Sequence, residues 1–452
     1  MIALCAGPVS DVDVFWHVEV GAYTLRGHGF PHPDPWAYTL PGVHWHSTSW
    51  LSELVLAAAQ RSTGWAGVVG LRLVVCVLVT AALARLLLRG RHGWAGPVVF
   101  TVIGMPLVFY VQERPQTASL LFLVWLAARL EALLAHGQAP RRWTFVAMSW
   151  LWACVHGLFV LAPGVLLLGA LGLLLDHGRA ALSTVRALVV TSALATAAAA
   201  FTPMGPRLLL APLTVSSAAR GIIAEWFPTN IGLPASWGLF GALTLLLLCY
   251  SRNSARAPRS ELLVVAVLAL IGFSAIRNAG PVSILLAPVL LRRMTGTWHT
   301  SSTLTLPRKP SLALAALALA AACGSYLQHP ALAPLRPARI AAVLASQPKP
   351  VRVLNDYNVS GYLISTTHGK ARLAVDGRAD RYGHAYLTAY TDALNAGKDW
   401  EPFIRHLDPD VAVLGKDALT GRLLVVQLGW RRVLVDHEYA LFVAPGIDLV
   451  AA

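Results

Sequence analysis

Charged side chains are scarce in this chain of 452 residues. Asp, Glu, Lys and Arg make up 13% of it, whereas hydrophobic residues make up 56%. A soluble domain usually carries about 25% charged residues. The mean hydropathy of +0.59 points in the same direction. The composition excludes an ordinary soluble protein and predicts an integral membrane protein that crosses the lipid bilayer several times.

Cysteine and acidic residues are also few. No two of the five cysteines form a Cys-x-x-Cys pair, so neither a disulfide framework nor a cysteine-based metal site is predicted. Asp and Glu number 22 against 36 Lys and Arg, which gives a net charge of +14. The arginines lie between the apolar runs, as charges in loops do, and they do not cluster on one polar face. No nucleic-acid partner is therefore expected.

About ten apolar runs are candidates for membrane crossing, since roughly 17 to 25 apolar residues span the hydrocarbon core. They define a transmembrane region at residues 66–330. The runs cover residues 66–89, 94–111, 117–135, 143–157, 158–175, 187–201, 236–250, 261–276, 279–291 and 311–327. The stretch 143–175 is too long for one crossing, and its break could fall at His156-Gly157 or at Pro163-Gly164.

The loops between these runs differ in positive charge. Of the 18 Lys and Arg residues in these loops, alternate loops hold 14, whereas the opposite loops hold only Arg114, Arg207, Arg220 and Arg277. By the positive-inside rule the first set is cytoplasmic. We therefore expect residues 1–65 and the C-terminal region on the outer side of the cytoplasmic (inner) membrane. Only residues 1–10 precede the first aspartate, so either the chain starts outside or a preceding helix is missing.

From about residue 347 the pattern changes to alternating polar and apolar residues. VRVLND, GYLIST and ARLAVDGR are predicted as strands, followed by helices at 384–395 and 400–407. The strand DVAVLG, a helix at 417–428 and a hairpin across RRVLVDHEYALFVA complete the pattern. Residues 347–452 are thus predicted to form a soluble, extracytoplasmic, mixed α/β domain.

Polar groups recur where the predicted helices end on the outer side. The first loop carries DVDVFWH, with Asp11 and Asp13 spaced i and i+2, and WHSTSWLSE, which ends at Glu53. A charge deep in the bilayer costs roughly 2.5 to 3.5 kcal/mol or more, so carboxylates in such a loop indicate chemistry at the membrane boundary. The other outer candidates are Arg114, His156, Glu225, Arg277 and Asn278. This pattern favours an outward-facing reaction chamber over a carrier, because the ionisable groups are not at the midplane and no internal repeat is present.

The order of several motifs resembles that of a known family. DVDVFWHVEVG, GFPHPDPWAYT, WHSTSWLSE, ERPQ, LWACVHG, AEWFP, IRNAGP, LNDYNVSGYL and VDGRADRYG resemble bacterial GT-C glycosyltransferases related to protein O-mannosyltransferases, over most of the chain. The resemblance implies a GT-C-like fold. It also implies inverting transfer of a sugar from a polyprenyl-phosphate donor to a glycan, lipid or protein acceptor at the outer membrane face. An acidic residue of the first outer loop then serves as base or metal contact, which maps onto Asp11 or Asp13.

An inverting transfer needs a base and a cation that stabilises the leaving phosphate. Asp13 and Asp11 are the candidates for the base, and Arg277 and Arg114 for binding the donor phosphate, because guanidinium makes bidentate contacts to phosphate. No cofactor is implied with certainty, the family chemistry admits a divalent cation, and no metal-ligand spacing is present.

Each nomination has an alternative reading. The aspartates could belong to a solvated loop or cap the helix that begins near Val14, and the arginines could be interfacial anchors. His156 could be structural, and Glu225 could serve loop packing. Asp376-Gly377-Arg378 and Asp380 could be catalytic, but a turn held by an Asp-Arg pair is favoured. Cys154, Thr202 and Ser360 depart from the family pattern, which leaves open a non-catalytic or transport-type protein that has kept the scaffold.

Overall fold

The chain divides into two compact units. The computed structural model describes residues 5, 7–28, 34–90, 92–252, 257–298 and 336–450. The first unit, here called the helical unit, comprises Met1–Pro8, Val68–Pro212 and Ile223–Ala331. The second, here called the α/β unit, comprises Val9–Gly67, Leu213–Ile222 and Leu332–Ala452. Segments from near both ends of the sequence therefore fold together in the α/β unit.

Helices account for most of the described secondary structure. The first twelve are α1 (Val14–Tyr23), α2 (Trp50–Thr63), α3 (Trp65–Leu88), α4 (Ala95–Gly104), α5 (Pro115–His136), α6 (Arg142–Val155), α7 (Leu161–His177), α8 (Leu182–Ala199), α9 (Ala211–Ala219), α10 (Trp237–Arg252), α11 (Arg259–Ser274) and α12 (Ile276–Trp298). The remaining five are α13 (Ala338–Ala345), α14 (Ser360–Thr366), α15 (Ala379–Leu394), α16 (Trp400–Leu407) and α17 (Leu419–Leu428).

Four described segments are long and apolar enough to cross a membrane. They are Trp65–Leu88, Pro115–His136, Gly157–Ala199 and Pro234–Arg252. Gly157–Ala199 contains both α7 and α8, and at about 1.5 Å per residue it would be roughly 65 Å long, which exceeds one crossing. These segments support the prediction of a multi-pass membrane protein. The number of ten crossings stays a prediction, and the run 311–327 lies outside the described residues.

The break expected between residues 143 and 175 lies at His156. Helix α6 ends at Val155, and His156 has an extended backbone with φ −167° and ψ 151°. Pro163 lies instead in the first turn of α7, where the missing N–H of proline costs no helical hydrogen bond. Of the two positions left open by the sequence, the structure selects the first.

Helix α12 lies at the centre of the helical unit. Every side chain from Ala279 to Leu291 is buried, and the helix packs against α4, α5, α10 and α11. A helix that is apolar and buried on all sides belongs to the core of a bundle. Gly280 is needed for this packing, because a Cβ atom there would be 2.6 Å from the ring of Tyr110.

Ion pairs fix α5 and α12 to each other in a parallel arrangement. Near their first residues, Arg114 and Arg277 both contact Glu225. Near their last turns, Glu131 of α5 accepts a 2.6 Å hydrogen bond from Arg292 of α12. The interval from Arg277 to Arg292 spans roughly 22 Å at 1.5 Å per residue. The two ionic clusters are therefore separated by about three quarters of the thickness of the hydrocarbon core, which is roughly 30 Å.

The α/β unit contains a five-stranded mixed sheet with the order β2-β1-β3-β5-β4. The strands are β1 (Val351–Asn355), β2 (Ala371–Leu373), β3 (Val411–Gly415), β4 (Arg431–Asp436) and β5 (Tyr439–Val443). Strand β1 pairs in parallel with β2 and β3, whereas β5 is antiparallel to β3 and β4. The mixed α/β character expected from the sequence is confirmed, and its extracytoplasmic placement stays a prediction.

The N-terminal segment adds to this sheet. Ala37 forms an isolated parallel bridge with Leu373 of β2, and the backbone N–H of Leu373 donates a 2.8 Å hydrogen bond to the carbonyl of Trp36. Since the edge of β2 would otherwise present unpaired backbone groups, this contact covers part of it. The first loop and the C-terminal region are parts of one folded unit.

The sequence predicted a strand at GYLIST, but these residues form helix α14, so that prediction is wrong. A short apolar run cannot be assigned by periodicity alone. Tertiary packing decides the conformation: α14 packs on α1, and a Cβ atom at Gly361 would be 2.5 Å from the carbonyl oxygen of Val12. Only glycine permits this approach of the two backbones.

Candidate functional site

Two arginines of the helical unit converge on one carboxylate. Arg114 precedes α5, and its Nη1 donates a 3.1 Å hydrogen bond to Oε2 of Glu225. Arg277, in the first turn of α12, donates a 2.9 Å hydrogen bond from Nη1 to Oε1 of the same residue. The sequence nominated all three residues separately. The structure brings them together as one cluster, here called the Arg114–Glu225–Arg277 cluster.

The cluster carries more positive than negative charge. Burial by itself would raise the pKa of the Glu225 carboxyl, but the guanidiniums of Arg277 and Arg114 outweigh it and hold that pKa below its ordinary value. Glu225 is therefore ionised at neutral pH, and one carboxylate faces two guanidiniums. The first residues of α5 and α12 add the partial positive charge of helix N-termini. The geometry is suited to binding an anion.

Trp226 and the surrounding backbone hold the cluster in place. The guanidinium carbon of Arg277 lies 4.4 Å from the ring centroid of Trp226. The short turn Ala224–Trp226 is tied to the neighbouring helices, because Ile276 N–H donates to the Phe227 carbonyl at 2.9 Å and Thr229 N–H donates to the Phe273 carbonyl at 3.1 Å. A cation stacked on an aromatic ring keeps its orientation at low entropic cost.

Asp11 and Asp13 lie in the α/β unit, at the start of α1. Asp11 is only 5% exposed, and its Oδ1 accepts a 2.7 Å hydrogen bond from the backbone N–H of Asp13. This is the side-chain-to-backbone turn typical of aspartate before a helix. Asp13 occupies the N-cap position without a capping hydrogen bond from its side chain. Asp11 therefore holds this turn, whereas Asp13 is half-buried. The roles of both residues in a reaction stay predictions.

Gly377, in the C-terminal region, lies against the side chain of Asp13. A Cβ atom at Gly377 would be 2.5 Å from Asp13 Oδ1 and 2.3 Å from Trp16 Nε1. The indole nitrogen of Trp16 is buried and has no hydrogen-bond partner among the described residues. The sequence reading did not connect Gly377 with Asp13, because no local pattern predicts a contact between residues so far apart in the chain.

Glu53 lies in the α/β unit on α2 and contacts α1. It is 2% exposed, and its Oε1 is 3.0 Å from Nδ1 of His17. The helices approach closely at this point, since a Cβ atom at Gly21 would be 2.0 Å from the carbonyl oxygen of Glu53. A buried carboxylate is stable only when it is paired or hydrogen-bonded, so the His17 contact explains how Glu53 is accommodated.

His156 and Asn278 make local contacts in the helical unit. His156 Nδ1 accepts a 3.3 Å hydrogen bond from the N–H of Leu158 at the break between α6 and α7. Asn278 donates from Nδ2 to Ser274 Oγ at 3.0 Å and to the Ile271 carbonyl at 3.3 Å. Both side chains thus satisfy backbone or hydroxyl groups where helices end. Their roles in a reaction stay predictions.

An ion pair that sequence reasoning missed lies beside the nominated Arg114. Arg72, on α3, contacts Glu113 and also the carbonyl of Gly7, and both charged side chains are buried. The signal in the sequence was an arginine inside an otherwise apolar helix, which usually faces a partner in the bundle.

A second missed cluster holds the α/β unit together. Arg378 donates to Asp376 from its backbone N–H at 3.0 Å, from Nε at 2.9 Å and from Nη2 at 2.6 Å. It also forms an ion pair of 2.8 Å with Asp34, which in turn pairs with Arg381 at 2.5 Å. The Asp-Arg turn favoured by the sequence is confirmed. Its extension to Asp34 was not predicted.

The described part of the chain contains no group of three or more His, Cys, Asp or Glu residues that could hold a metal ion. Five of the eight nominated residues form two sets. Arg114, Glu225 and Arg277 are together in the helical unit, and Asp11 and Asp13 are adjacent in the α/β unit. A divalent cation stays an expectation of the resemblance.

Comparisons with known proteins give little further information. No protein-family model matches the chain, and no curated protein matches it. Among solved structures, similarity is found to ArnT from Cupriavidus metallidurans, both in the apo state and bound to undecaprenyl phosphate. In each case the identity is 14%, 98% of this chain and 95% of the ArnT chain are covered, and the TM-scores are 0.48 and 0.44.

Proposed function

We propose that this protein transfers a sugar from a polyprenyl-phosphate-linked donor to a glycan, lipid or protein acceptor at the outer face of the cytoplasmic membrane. The observation that carries the proposal is the convergence of Arg114 and Arg277 on one carboxylate at the first residues of two apolar helices. Two guanidiniums and two helix N-termini suit a phosphate group. The adjacent apolar helices suit the isoprenoid chain of a membrane-embedded carrier.

The proposed reaction explains why two cations are useful. The bond between the anomeric carbon and the phosphate oxygen breaks, and its electron pair stays on the phosphate. The phosphate thus becomes more negative, from a charge of about −1 towards −2, as the acceptor oxygen attacks. Cations that stabilise this developing charge lower the barrier, because they interact more strongly with the transition state than with the donor.

Asp13 is the residue to which we assign the acceptor proton. Asp11 already accepts the N–H of Asp13, which uses one of its carboxylate oxygens to hold the turn. Asp13 is half-buried. A general base must be ionised and able to reach the acceptor hydroxyl, which favours the half-buried carboxylate over the buried one.

One observation favours the second candidate function, a non-catalytic or transport-type protein. Glu225 contacts both arginines, as in a cluster whose only role is to tie helices together. In that case the arginines would bind no carrier, and their replacement would change stability without changing lipid binding.

Lipid binding separates the two functions. We expect the full chain, purified in detergent, to bind undecaprenyl phosphate with affinity falling in the order wild type, Arg277→Lys, Arg277→Ala. Lysine keeps the charge but loses the planar fork. Hydrogen bonds to charged groups contribute about 1.5 to 3 kcal/mol, so alanine should weaken binding by about 10- to 100-fold.

The matched control is Arg292→Lys, which changes an arginine at the other end of α12 that pairs with Glu131 and Glu261. Its affinity should equal that of the wild type. Equal binding by all Arg277 variants would remove the phosphate role from this residue and favour the non-catalytic function.

A further inference from the structure

Glu225 contacts the two arginines as a phosphate would. Its two oxygens are divided between them: Oε1 accepts from Arg277 at 2.9 Å and Oε2 accepts from Arg114 at 3.1 Å. A phosphate placed between two guanidiniums presents two oxygens in the same way. The carboxylate therefore occupies Nη1 of both guanidiniums and competes there with a carrier phosphate.

The surroundings allow the side chain of Glu225 to move while the arginines stay. The Glu225 side chain is 30% exposed, so a change of side-chain rotamer can bring the carboxylate into water. The backbone that follows Glu225 is tied by the hydrogen bonds of Phe227 and Thr229. Trp226 lies against the guanidinium of Arg277 at 4.4 Å, a contact that does not depend on the carboxylate.

The charge of the product makes such a competitor useful. A sugar-linked polyprenyl phosphate is a diester with one negative charge. The released monoester has a second pKa of about 6, so it carries close to two negative charges at neutral pH. Two guanidiniums bind the monoester more tightly than the donor. The same interaction that favours the transition state therefore delays release of the product.

We propose that Glu225 is an internal competitor of the carrier phosphate, which returns to Arg114 and Arg277 and displaces the polyprenyl monophosphate after sugar transfer. This inference rests on the proposed function, because it requires the two arginines to bind the phosphate. It assigns to Glu225 a regulatory role in binding and release. Glu225 takes no proton and forms no bond in the transfer itself.

The test is a titration of the full chain with undecaprenyl phosphate in detergent at pH 7.5. Glu225→Gln keeps the size of the side chain but removes its charge, so the dissociation constant should fall by about tenfold, which corresponds to about 1.4 kcal/mol. Glu225→Asp keeps the charge but shortens the reach, so its affinity should lie between the two. At pH 5, where the monoester carries about one charge, the advantage of Glu225→Gln should shrink.

The control is Glu131→Gln, which breaks an ion pair with Arg292 elsewhere in the helical unit and should leave the dissociation constant unchanged. If Glu225→Gln and Glu225→Asp bind no more tightly than the wild type while Arg277→Ala binds more weakly, the competitor role is wrong and the proposed function stands. If Arg277→Ala also binds as the wild type does, the proposed function itself fails. If Glu225→Gln is too unstable to purify, tighter binding by Glu225→Asp supports the proposal and unchanged binding overturns it.

Discussion

Asp34 lies 2.8 Å from Nη2 of Arg378, and this ion pair joins the N-terminal segment to the turn after β2. Arg378 is completely buried, and the rings of Trp36 and Trp45 lie 5.1 Å and 5.0 Å from its guanidinium carbon. A buried charge is tolerated only when it is paired and hydrogen-bonded. The first loop and the C-terminal region of the α/β unit therefore depend on each other for folding.

We predict that Arg378→Met destabilises the protein strongly. Without the guanidinium, Asp376 would lose the cation that pairs with it, whereas Asp34 would keep Arg381. Breaking a buried pair typically costs about 3 to 5 kcal/mol. Thermal unfolding of the full chain in detergent measures the effect. The control is Arg405→Met, whose pair with Glu401 is exposed, and which should have almost no effect. A small change for Arg378→Met would mean that the pair contributes little to folding.

Asp380 gives a prediction about pH. Burial raises the pKa of its carboxyl above the ordinary value and the nearby Asp376 raises it further, although the hydrogen bond from Trp45 Nε1 and the charge of Arg378 lower it. The folded state therefore binds this proton more tightly than the unfolded chain does, so the contribution of this group to stability falls as the pH rises above about 4.

Replacing Asp380 with asparagine removes this titration and leaves an oxygen that can accept from Trp45. We expect Asp380→Asn to raise the melting temperature in detergent at pH 7.5 and to raise it less at pH 4.5. The control is Asp448→Asn, which changes a carboxylate that is 99% exposed. A lower melting temperature for Asp380→Asn at pH 7.5 would show that the charged form of Asp380 is needed in the folded protein.

The sequence predicted the structural features that depend on the local pattern of polar and apolar residues. Apolar runs located the four described segments that are long and apolar enough to cross a membrane. The His156-Gly157 dipeptide was one of two expected breaks, and most strands of the C-terminal region were located. The failures share one cause, which is tertiary contact over a long separation in sequence. GYLIST became a helix because Gly361 allows close packing on α1, and neither the pairing of Asp34 with Arg378 nor that of Arg72 with Glu113 leaves a local signature. The convergence of Arg114 and Arg277 on Glu225 was also beyond spacing rules, although each residue was nominated.

The two aspartates of the first loop should respond differently to the same substitution. Asp11→Asn keeps an oxygen that can accept the N–H of Asp13, so the turn and the activity should persist. Asp13→Asn removes the proposed base and should lower sugar transfer by about 10² to 10⁴-fold, the usual contribution of general-base catalysis. Transfer from polyprenyl-phosphate sugars in membranes that express each variant measures the effect. Loss of activity in Asp11→Asn alone would reverse the assignment.

The placement of the α/β unit on the outer side can be tested with exposed positions from both of its segments. Val43 is 39% exposed and Val433 is 46% exposed. In a background without the five native cysteines, Val43→Cys and Val433→Cys should both react with a membrane-impermeant thiol reagent in intact cells. Arg141 lies in an exposed loop between α5 and α6, which the positive-inside rule places in the cytoplasm, so Arg141→Cys should react only after the membrane is opened.

The joint result is more informative than any single site. Because Val43 and Val433 belong to one compact unit, they must lie on the same side, and the chain between residues 67 and 332 must then cross the membrane an even number of times. Reaction of one site without the other in intact cells would contradict the unit itself. Protection of both sites together with reaction of Arg141→Cys would reverse the orientation, and the proposed transfer at the outer face would then fail.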